Sequence, residues 1–178
     1  PRKAEELLAL PSVKALSMTV TESGYYLNDD WSLNLNDPLV ASEIKGNAKR
    51  SVYAFLSASL KYRMEKINLP ITILCCDNIR SNGEILERNF RTYLKNTEQF
   101  ELENWLNVNV TFPNSMIDRI TPRATSTLKQ EVSQFSVDLK ETAIQGEHYI
   151  QWVIENKFAN DKPALDEVGV ELVDQVNP

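Results

Sequence analysis

The chain has 178 residues, of which 42% are hydrophobic, and its 19 basic residues are outnumbered by 25 acidic ones, giving a net charge of −6. This content can bury a single core, whereas the acidic balance argues against a nucleic-acid or phospholipid surface. No apolar run approaches the ~18 residues that cross a bilayer and no basic-then-apolar leader is visible, so we expect a cytoplasmic protein with a small-molecule partner.

Short apolar runs predict the strands of a buried sheet. Residues 15–20 (ALSMTV) and 71–76 (ITILCC) have the composition of strands that are covered on both faces in a parallel sheet. A third candidate, 108–112 (VNVTF), alternates more cleanly. The adjacent Cys75 and Cys76 should point to opposite faces of their strand, so we expect two thiols rather than a disulfide.

Helical patterns fill the two intervals between these strands. Residues 43–66 carry apolar side chains at three- and four-residue steps, which predicts one long helix. In the next interval Ser81 and Glu84 have the spacing of a capping box, and a buried stripe follows at Leu86, Phe90, Tyr93 and Leu94. The order β-α-β-α-β predicts an α/β fold, namely the C-terminal half of a doubly wound, Rossmann-like parallel sheet.

The last third of the chain has weaker signals. Residues 125–135 are polar and helical in pattern, 149–158 fit a strand or a helix, and 169–176 alternate like a strand. We expect these to be peripheral elements that extend the sheet or lead into a second domain.

The ends and the glycines suggest part of a larger protein. The chain begins without an initiator Met and ends directly after an apolar segment, and its five glycines never reach the G-x-G-x-x-G spacing that cradles a nucleotide phosphate. We therefore expect residues 1–178 to be a partial dinucleotide-binding domain that lacks an N-terminal glycine-rich half. A sheet cut in this way would expose the apolar edge of 15–20, which predicts self-association.

Polar residues follow each predicted strand. In an open parallel sheet, ligands bind outside the carboxyl ends of the strands. The candidate residues at these ends are Thr21, Glu22, Asp77, Asn78, Asn114, Ser115 and, a turn later, Asp118. Such residues also end strands as ordinary turn formers, and Asp118 could simply pair with Arg119. Asn78 is the sharpest candidate, because a neutral amide can donate to a developing alkoxide without adding a buried charge.

Other kinds of site find less support. Asp77 ends an apolar strand as a metal-binding aspartate of a P-loop enzyme would, but the partner loop is absent. His148 is the only histidine and fits a surface role, and no Ser-His-Asp or Cys-His set can be assembled. The residues alone predict a ligand edge without metal and leave the reaction open.

Four ordered motifs at this edge carry a family resemblance. They read TVTESGYY (19–26), CCDNIRSNGE (75–84), FPNSMIDRITP (112–122) and QWVIENKF followed by VGVELVDQV (151–176). Together they resemble the long-chain mannitol dehydrogenase family, which includes mannitol 2-dehydrogenase, fructuronate (mannonate) reductase and tagaturonate reductase.

The resemblance implies NAD-dependent, metal-independent hydride transfer between a polyol or aldonate and the matching ketose or ketouronate. It favours D-mannonate and D-fructuronate, with mannitol 2-dehydrogenase or tagaturonate reductase as the alternatives. The family's general base lies in a Lys-x-x-x-x-Asn-x-x-His motif that would follow this chain, in a catalytic helical domain. The isolated fragment should then be inactive. A non-catalytic dinucleotide-binding or interaction module is the alternative of another class.

The resemblance also implies roles for the edge residues. Asn78 would donate to the reacting oxygen, Asp118 would lie near the substrate and the general base, and Glu22 would stand by cofactor and substrate. Thr21, Asp77 and Asn78 would also neighbour the nicotinamide. Asn114 and Ser115, at the end of the third strand, would bind the cofactor as well. Ser23, Asn156 and the pair His148-Tyr149 depart from the family pattern, which bears on the substrate more than on the reaction.

Overall fold

The computed structural model describes residues 2–118, 120–135 and 143–176. Its helices are α1 (Arg2–Leu8), α2 (Pro38–Ile44), α3 (Val52–Lys66), α4 (Asn82–Asn96), α5 (Phe100–Asn109) and α6 (Ser126–Phe135). Its strands are β1 (Ala15–Met18), β2 (Ile71–Cys75), β3 (Val110–Thr111), β4 (Ser115–Asp118), β5 (Gln151–Glu155) and β6 (Glu171–Val173). Single 3-10 turns form at Glu22–Tyr25 and Asp166–Val168.

A parallel sheet lies at the centre, with strand order β1-β2-β3. Its largest cluster of buried apolar residues joins one face of β2, through Ile71, Ile73 and Cys75, to side chains of α3, α4 and α5. All five residues of β2 are buried, as expected of a central parallel strand whose two faces are both covered. The predicted α/β class, a parallel sheet with helices, is confirmed.

A second sheet covers the opposite face, with β5 antiparallel to β4 and parallel to β6. Leu74 of β2 packs there against Ile154 and Val170, with Cys76 beside them. The prediction that the late elements extend the first sheet was wrong, and that they lead into a second domain stays a prediction. They form a separate layer because β3 lasts two residues and Pro113, which has no backbone N–H, follows one residue after it.

The two cysteines lie as predicted. Cys75 belongs to the helical side of the sheet and Cys76 to the side covered by the second sheet, and both are free thiols. Burial raises the pKa of Cys76 to about 11. The thiols are therefore protonated packing groups near neutral pH.

The predicted helix over 43–66 is two helices. α2 ends at Ile44, and Gly46 follows with φ of +77°, a left-handed conformation that glycine adopts without a Cβ penalty. α3 begins only at Val52, after Ser51, whose Oγ accepts a hydrogen bond from Ala54 N at 3.1 Å. The cap at Ser51 was the missed signal, since apolar periodicity continues across the break.

The capping box predicted at Ser81 and Glu84 does not form. Ser81 has φ of +51° and no side-chain cap bond. Instead, the N–H of Glu84 donates to Asn114 Oδ1 at 3.1 Å and the N–H of Gly83 donates to Asn82 Oδ1 at 2.8 Å. A side chain from a distant segment therefore caps α4, while the stripe predicted for this helix is buried as expected.

The third strand is shorter than predicted. Residues 108 and 109 belong to the end of α5, a helix that the alternating pattern concealed, and Val108 is 84% exposed. The N–H of Val110 still donates to Leu106 O. Helix and strand therefore meet without a loop, and only Val110 and Thr111 pair with β2.

Arg63, placed on the apolar stripe of α3, is fully buried. Its guanidinium donates to the carbonyl oxygens of Leu8 (2.5 Å), Leu69 (2.8 Å) and Pro70 (2.8 Å). These bonds satisfy the donors that burial removes from water. Arg63 thereby ties the end of α1 to the turn that enters β2.

In the part of the chain that the structure describes, no helix is long and apolar enough to cross a membrane. Among these residues β1 pairs with β2 alone, so its other edge has no strand neighbour. Self-association through that edge stays a prediction, to be checked by light scattering.

Candidate active site

The three parallel strands end at one edge of the sheet. Because β1, β2 and β3 run in the same direction, their carboxyl ends meet where open α/β sheets bind ligands. The chain leaves them through three segments, 19–25, 76–81 and 112–114. The strand ends identified in the sequence therefore share an edge, as predicted.

Asp77 joins the first two of these segments. Its carboxylate accepts hydrogen bonds from the backbone N–H of Val20 at 2.9 Å, from that of Thr21 at 2.8 Å and from the hydroxyl of Tyr25 at 2.5 Å. The residue is buried. Asp77 lies at the predicted edge, but the partners of its carboxylate belong to the protein itself.

Tyr25 is a member of this network that sequence reasoning missed. Its side chain is buried, and its backbone carbonyl accepts a hydrogen bond from the Tyr53 hydroxyl at 2.9 Å. Burial, and then the hydrogen bond to Asp77, raise the pKa of Tyr25 far above its ordinary value. The phenol keeps its proton and is the donor to Asp77. The sequence feature that could have identified Tyr25 is its position inside the TVTESGYY motif.

Thr21 adopts a strained backbone conformation between these anchors. Its φ is +68° and its ψ 157°, a region that a β-branched residue rarely enters. Such a conformation costs about 1–3 kcal/mol and persists only where surrounding contacts impose it. The hydrogen bonds to Asp77 supply that constraint, so they hold the turn after β1 in a strained backbone conformation.

Two cavities open at this edge and share Asp77 and Asn78. The turn cavity, of about 480 Å³, is lined by Thr21, Glu22 and Ser23 together with these two residues. The β4 cavity, of about 310 Å³, is lined in addition by residues 79–81, 115–117 and 176. A ligand that spans both cavities would pass over the segment 77–78.

Asn78 is exposed between the two cavities. Among residues 2–118, 120–135 and 143–176, none forms a hydrogen bond with its carboxamide. An amide that is placed at a cleft and is free of internal partners can donate its N–H to a ligand oxygen. Donation by Asn78 to a reacting oxygen stays a prediction.

Glu22 and Asp118 lie apart. Glu22 begins the 3-10 turn beside the turn cavity and is exposed, as is Asp118 at the end of β4, where it pairs with Gln151 in the strand ladder. Asp118 lines neither cavity. Its suggested partner Arg119 lies outside the described residues.

Asn82, missed in the sequence, links the segment that follows β2 to the start of β4. Its Nδ2 donates to the carbonyl oxygens of Cys75 (3.0 Å), Asp77 (3.0 Å) and Ser115 (2.9 Å), and its Oδ1 accepts from Ser115 N at 2.9 Å. The hydroxyl of Ser115 in turn donates to Cys75 O at 2.6 Å. Ser115 lines the β4 cavity, yet its polar atoms serve to hold β4 beside β2.

Asn114 and Glu155 form a buried pair. Glu155 accepts from the N–H of Asn114 at 3.0 Å, from its Nδ2 at 3.2 Å and from Lys157 Nζ at 3.0 Å. Burial acts to raise the pKa of Glu155, but the bonds from Asn114 and Lys157 outweigh it and hold the pKa below its usual range. The sequence feature that could have identified Glu155 is its place as a single carboxylate at the end of the apolar strand β5.

Replacing Glu155 with glutamine should destabilise the chain at neutral pH by about 1–3 kcal/mol, because an amide cannot accept from all of these donors. The contribution of ionised Glu155 is fully present above the pKa of an unfolded glutamate, about 4.3, and is lost as the pH falls through the lower folded pKa. Urea unfolding at several pH values, followed by tryptophan fluorescence, should therefore show the gap between the wild type and E155Q closing on acidification. A constant gap would contradict this.

A parallel sheet with helices packed on one face and polar residues at the carboxyl ends of its strands places the chain in the α/β class to which Rossmann-type dehydrogenase domains belong. The family model of the mannitol dehydrogenase Rossmann domain matches residues 2–167. The chain belongs to the mannitol dehydrogenase family, which confirms the resemblance drawn from the four motifs.

Individual relatives agree with this assignment. The chain is 39% identical to D-arabinitol 4-dehydrogenase of Klebsiella pneumoniae, over 96% of this chain and 37% of the relative. It is 35% identical to D-mannonate oxidoreductase of Escherichia coli (strain K12), over 96% and 35%. The chain thus spans little more than a third of the length of these relatives.

The fold also resembles a solved structure of the family. A ternary complex of Pseudomonas fluorescens mannitol 2-dehydrogenase with NAD and D-mannitol matches with a TM-score of 0.80 at 28% identity. The match covers 98% of this chain and 36% of that one. Sequence and fold therefore point to the same family.

Proposed function

We propose that this chain forms part of the dinucleotide-binding domain of an NAD-dependent dehydrogenase of polyols or aldonates, within a longer protein. The observation that carries the proposal is the exposed carboxamide of Asn78, which stands between two cavities at the carboxyl edge of the sheet. In a member of the mannitol dehydrogenase family, that is where a hydride acceptor or donor would meet a sugar.

NAD fits the edge in part. The turn cavity offers neutral and acidic groups of Thr21, Glu22 and Asn78, which suits the nicotinamide end of the cofactor. The chain has no glycine-rich turn of the kind that approaches a pyrophosphate, and we assign that cradle to an N-terminal half of the domain. When bound, the cofactor supplies or accepts the hydride.

The chain's own groups would orient the substrate and stabilise charge. Asn78 donates a hydrogen bond to the reacting oxygen and so favours the alkoxide character of the transition state. Glu22 lines the cofactor side of the cleft. Asp118 would act near the substrate only together with residues of another domain, since among the described residues it stands on an exposed strand end. The proton-transferring lysine would come from that domain.

We propose D-mannonate and D-fructuronate as the substrate pair. Arg80 supports a sugar acid: its side chain is exposed, lines the β4 cavity with Asn78 and forms no hydrogen bond or ion pair with any described residue. A guanidinium at that place can pair with a substrate carboxylate. The relatives are named for arabinitol, mannonate and mannitol, so arabinitol and mannitol stay candidate substrates beside mannonate.

Replacing Arg80 with glutamine tests the sugar-acid assignment. A charge-assisted bond to the substrate carboxylate is worth about 1.5–3 kcal/mol, so kcat/KM for D-fructuronate should fall roughly tenfold to a hundredfold. The value for the neutral ketose D-fructose should hardly change. Arg88→Gln is the matched control, because the Arg88 guanidinium donates to Trp31 O instead. Equal losses with both sugars would contradict the assignment.

The function itself is tested with the full-length protein that carries this chain. NADH oxidation is followed with D-fructuronate, D-tagaturonate and D-fructose, and NAD reduction with D-arabinitol and D-mannitol. Turnover of one pair would support the proposal and identify the substrate. NADH binding without any turnover would favour the non-catalytic module instead.

We also propose a cytoplasmic location. It rests on the two free cysteines, the usual state of thiols in a reducing compartment. Fractionation of cells that express the full-length protein would test it.

A further inference from the structure

We propose that Asp77 is a positioning residue that holds Glu22 at the cleft through the backbone of Val20 and Thr21 and through Tyr25, and that its carboxylate makes no contact with cofactor or substrate. The inference rests on the proposed function, because Glu22 is assigned there to the cofactor side of the cleft. Among the described residues, Asp77 is the one carboxylate that lines both cavities, and the inference gives it a role within the protein.

The carboxylate of Asp77 is occupied by internal donors. Oδ1 accepts from the N–H of Thr21 at 2.8 Å, and Oδ2 accepts from the N–H of Val20 at 2.9 Å and from Tyr25 Oη at 2.5 Å. A ligand would have to compete with these donors, and displacing Tyr25 would take this acceptor away from a buried hydroxyl. Contact with a ligand through the carboxylate is therefore disfavoured.

The same bonds hold the backbone on both sides of Glu22. Thr21 precedes Glu22 and is kept at φ of +68°, a conformation that would relax if its N–H were released. Tyr25 ends the 3-10 turn that Glu22 begins, and it is anchored by its own bond to Asp77 and by the Tyr53 hydroxyl on its carbonyl. Both ends of the short turn are thus tied to one carboxylate.

Glu22 depends on this backbone for its position. Its carboxylate is exposed and has no hydrogen bond or ion pair with any residue of the described ranges. A side chain without bonds of its own points where its backbone directs it. A shift of the turn would therefore move Glu22 away from the cleft while leaving its chemistry intact.

Glu43 provides a matched control elsewhere in the fold. It is also a buried carboxylate that accepts from two backbone N–H groups and one hydroxyl, those of Arg50 and Ser51. It lines a separate cavity of about 340 Å³ among α2, α3 and α4, away from the carboxyl edge. Glu43→Gln and Asp77→Asn thus weaken comparable sets of hydrogen bonds. Asp77 lies at the cavity that Glu22 lines, whereas Glu43 lies at a separate one.

The test is a double-mutant cycle in the full-length protein, with Asp77→Asn and Glu22→Gln alone and combined. We expect each single change to lower kcat at least tenfold, and Asp77→Asn to add less than a further twofold once Glu22 is replaced. Glu43→Gln should combine with Glu22→Gln by simple multiplication. The proposal is overturned if Asp77→Asn lowers kcat by the same factor in both backgrounds, or if Glu22→Gln leaves kcat unchanged.

Tyr25→Phe covers the case in which Asp77→Asn does not fold. It keeps the carboxylate and removes one donor, so kcat should fall several-fold, again only while Glu22 is present. An unchanged kcat in Tyr25→Phe would count against the proposal.

Amide hydrogen exchange separates this inference from the proposed function. Exchange at Val20 and Thr21 should be slow in the wild type, at least tenfold faster in Asp77→Asn and unchanged in Glu43→Gln. If the wild type turns over no sugar but shows this exchange pattern, the hold on the turn stands and the proposed function fails. Fast exchange in the wild type would overturn the inference.

Discussion

Replacing Asn78 with alanine in the full-length protein should lower kcat by about two to three orders of magnitude, the loss measured when a single donor to a developing oxyanion is removed. The carboxamide stands exposed between the turn cavity and the β4 cavity. Its N–H is therefore available to the sugar oxygen on which, in the proposed reaction, negative charge develops. The binding of NADH should change far less, because in the proposed reaction this donor acts on the reacting oxygen of the sugar.

Steady-state kinetics with the preferred sugar and NADH fluorescence titration would measure the two quantities separately. Asn96→Ala is the matched control: it removes the same side chain at the last residue of α4, where Asn96 Nδ2 donates, among the described residues, to Thr92 O alone. Its kcat should match the wild type. A kcat for Asn78→Ala within threefold of the wild type would remove Asn78 from the reaction.

Gly83→Ala should destabilise the fold by about 3 kcal/mol, the upper part of the range for overpacking a core. A Cβ at this position would stand 2.5 Å from the carbonyl oxygens of Phe112 and Pro113. Both are backbone atoms, so neither can rotate away. The first turn of α4 would have to separate from the segment that leads into β4, and the bonds of Asn82 and Asn114 across this junction would lengthen.

Urea unfolding of the chain would measure the loss, with Gly46→Ala as the control. Gly46 has φ of +77°, and apart from its own chain neighbours no described residue has an atom within 4 Å of the position of a new Cβ. An alanine there costs only the left-handed conformation, about 1 kcal/mol. Equal losses at the two positions would show that the close approach at Gly83 is not the cause.

The part of the site that sequence could predict consists of residues that point away from the core. Asn78 and Glu22 were recognised because a polar residue directly after an apolar strand has a fixed place in a parallel sheet. The structure leaves both exposed beside the turn cavity. The roles of Asp118, Asn114 and Ser115 as ligand contacts stay predictions, and the polar atoms of Asn114 and Ser115 bond within the protein.

The residues that sequence missed act across the chain. Tyr25 reaches Asp77 over 52 positions, and Asn82 reaches Ser115 over 33. Sequence periodicity cannot predict such pairs, because a hydrogen bond between distant segments depends on how the folded sheet positions the two segments. The same reason explains α4, which is capped by Asn114 instead of by the local capping box at Ser81.

The amino-acid sequence by itself determined the α/β class, the buried central strand and the family, because strand and helix periods and the order of motifs are local properties of a chain. Tertiary structure alone decided that β4, β5 and β6 form a second layer, that Arg63 is buried among carbonyl oxygens and that Asp77 bonds to the turn before Glu22. These features join segments far apart in the chain. Their free energies depend on burial and geometry that only the packed molecule creates.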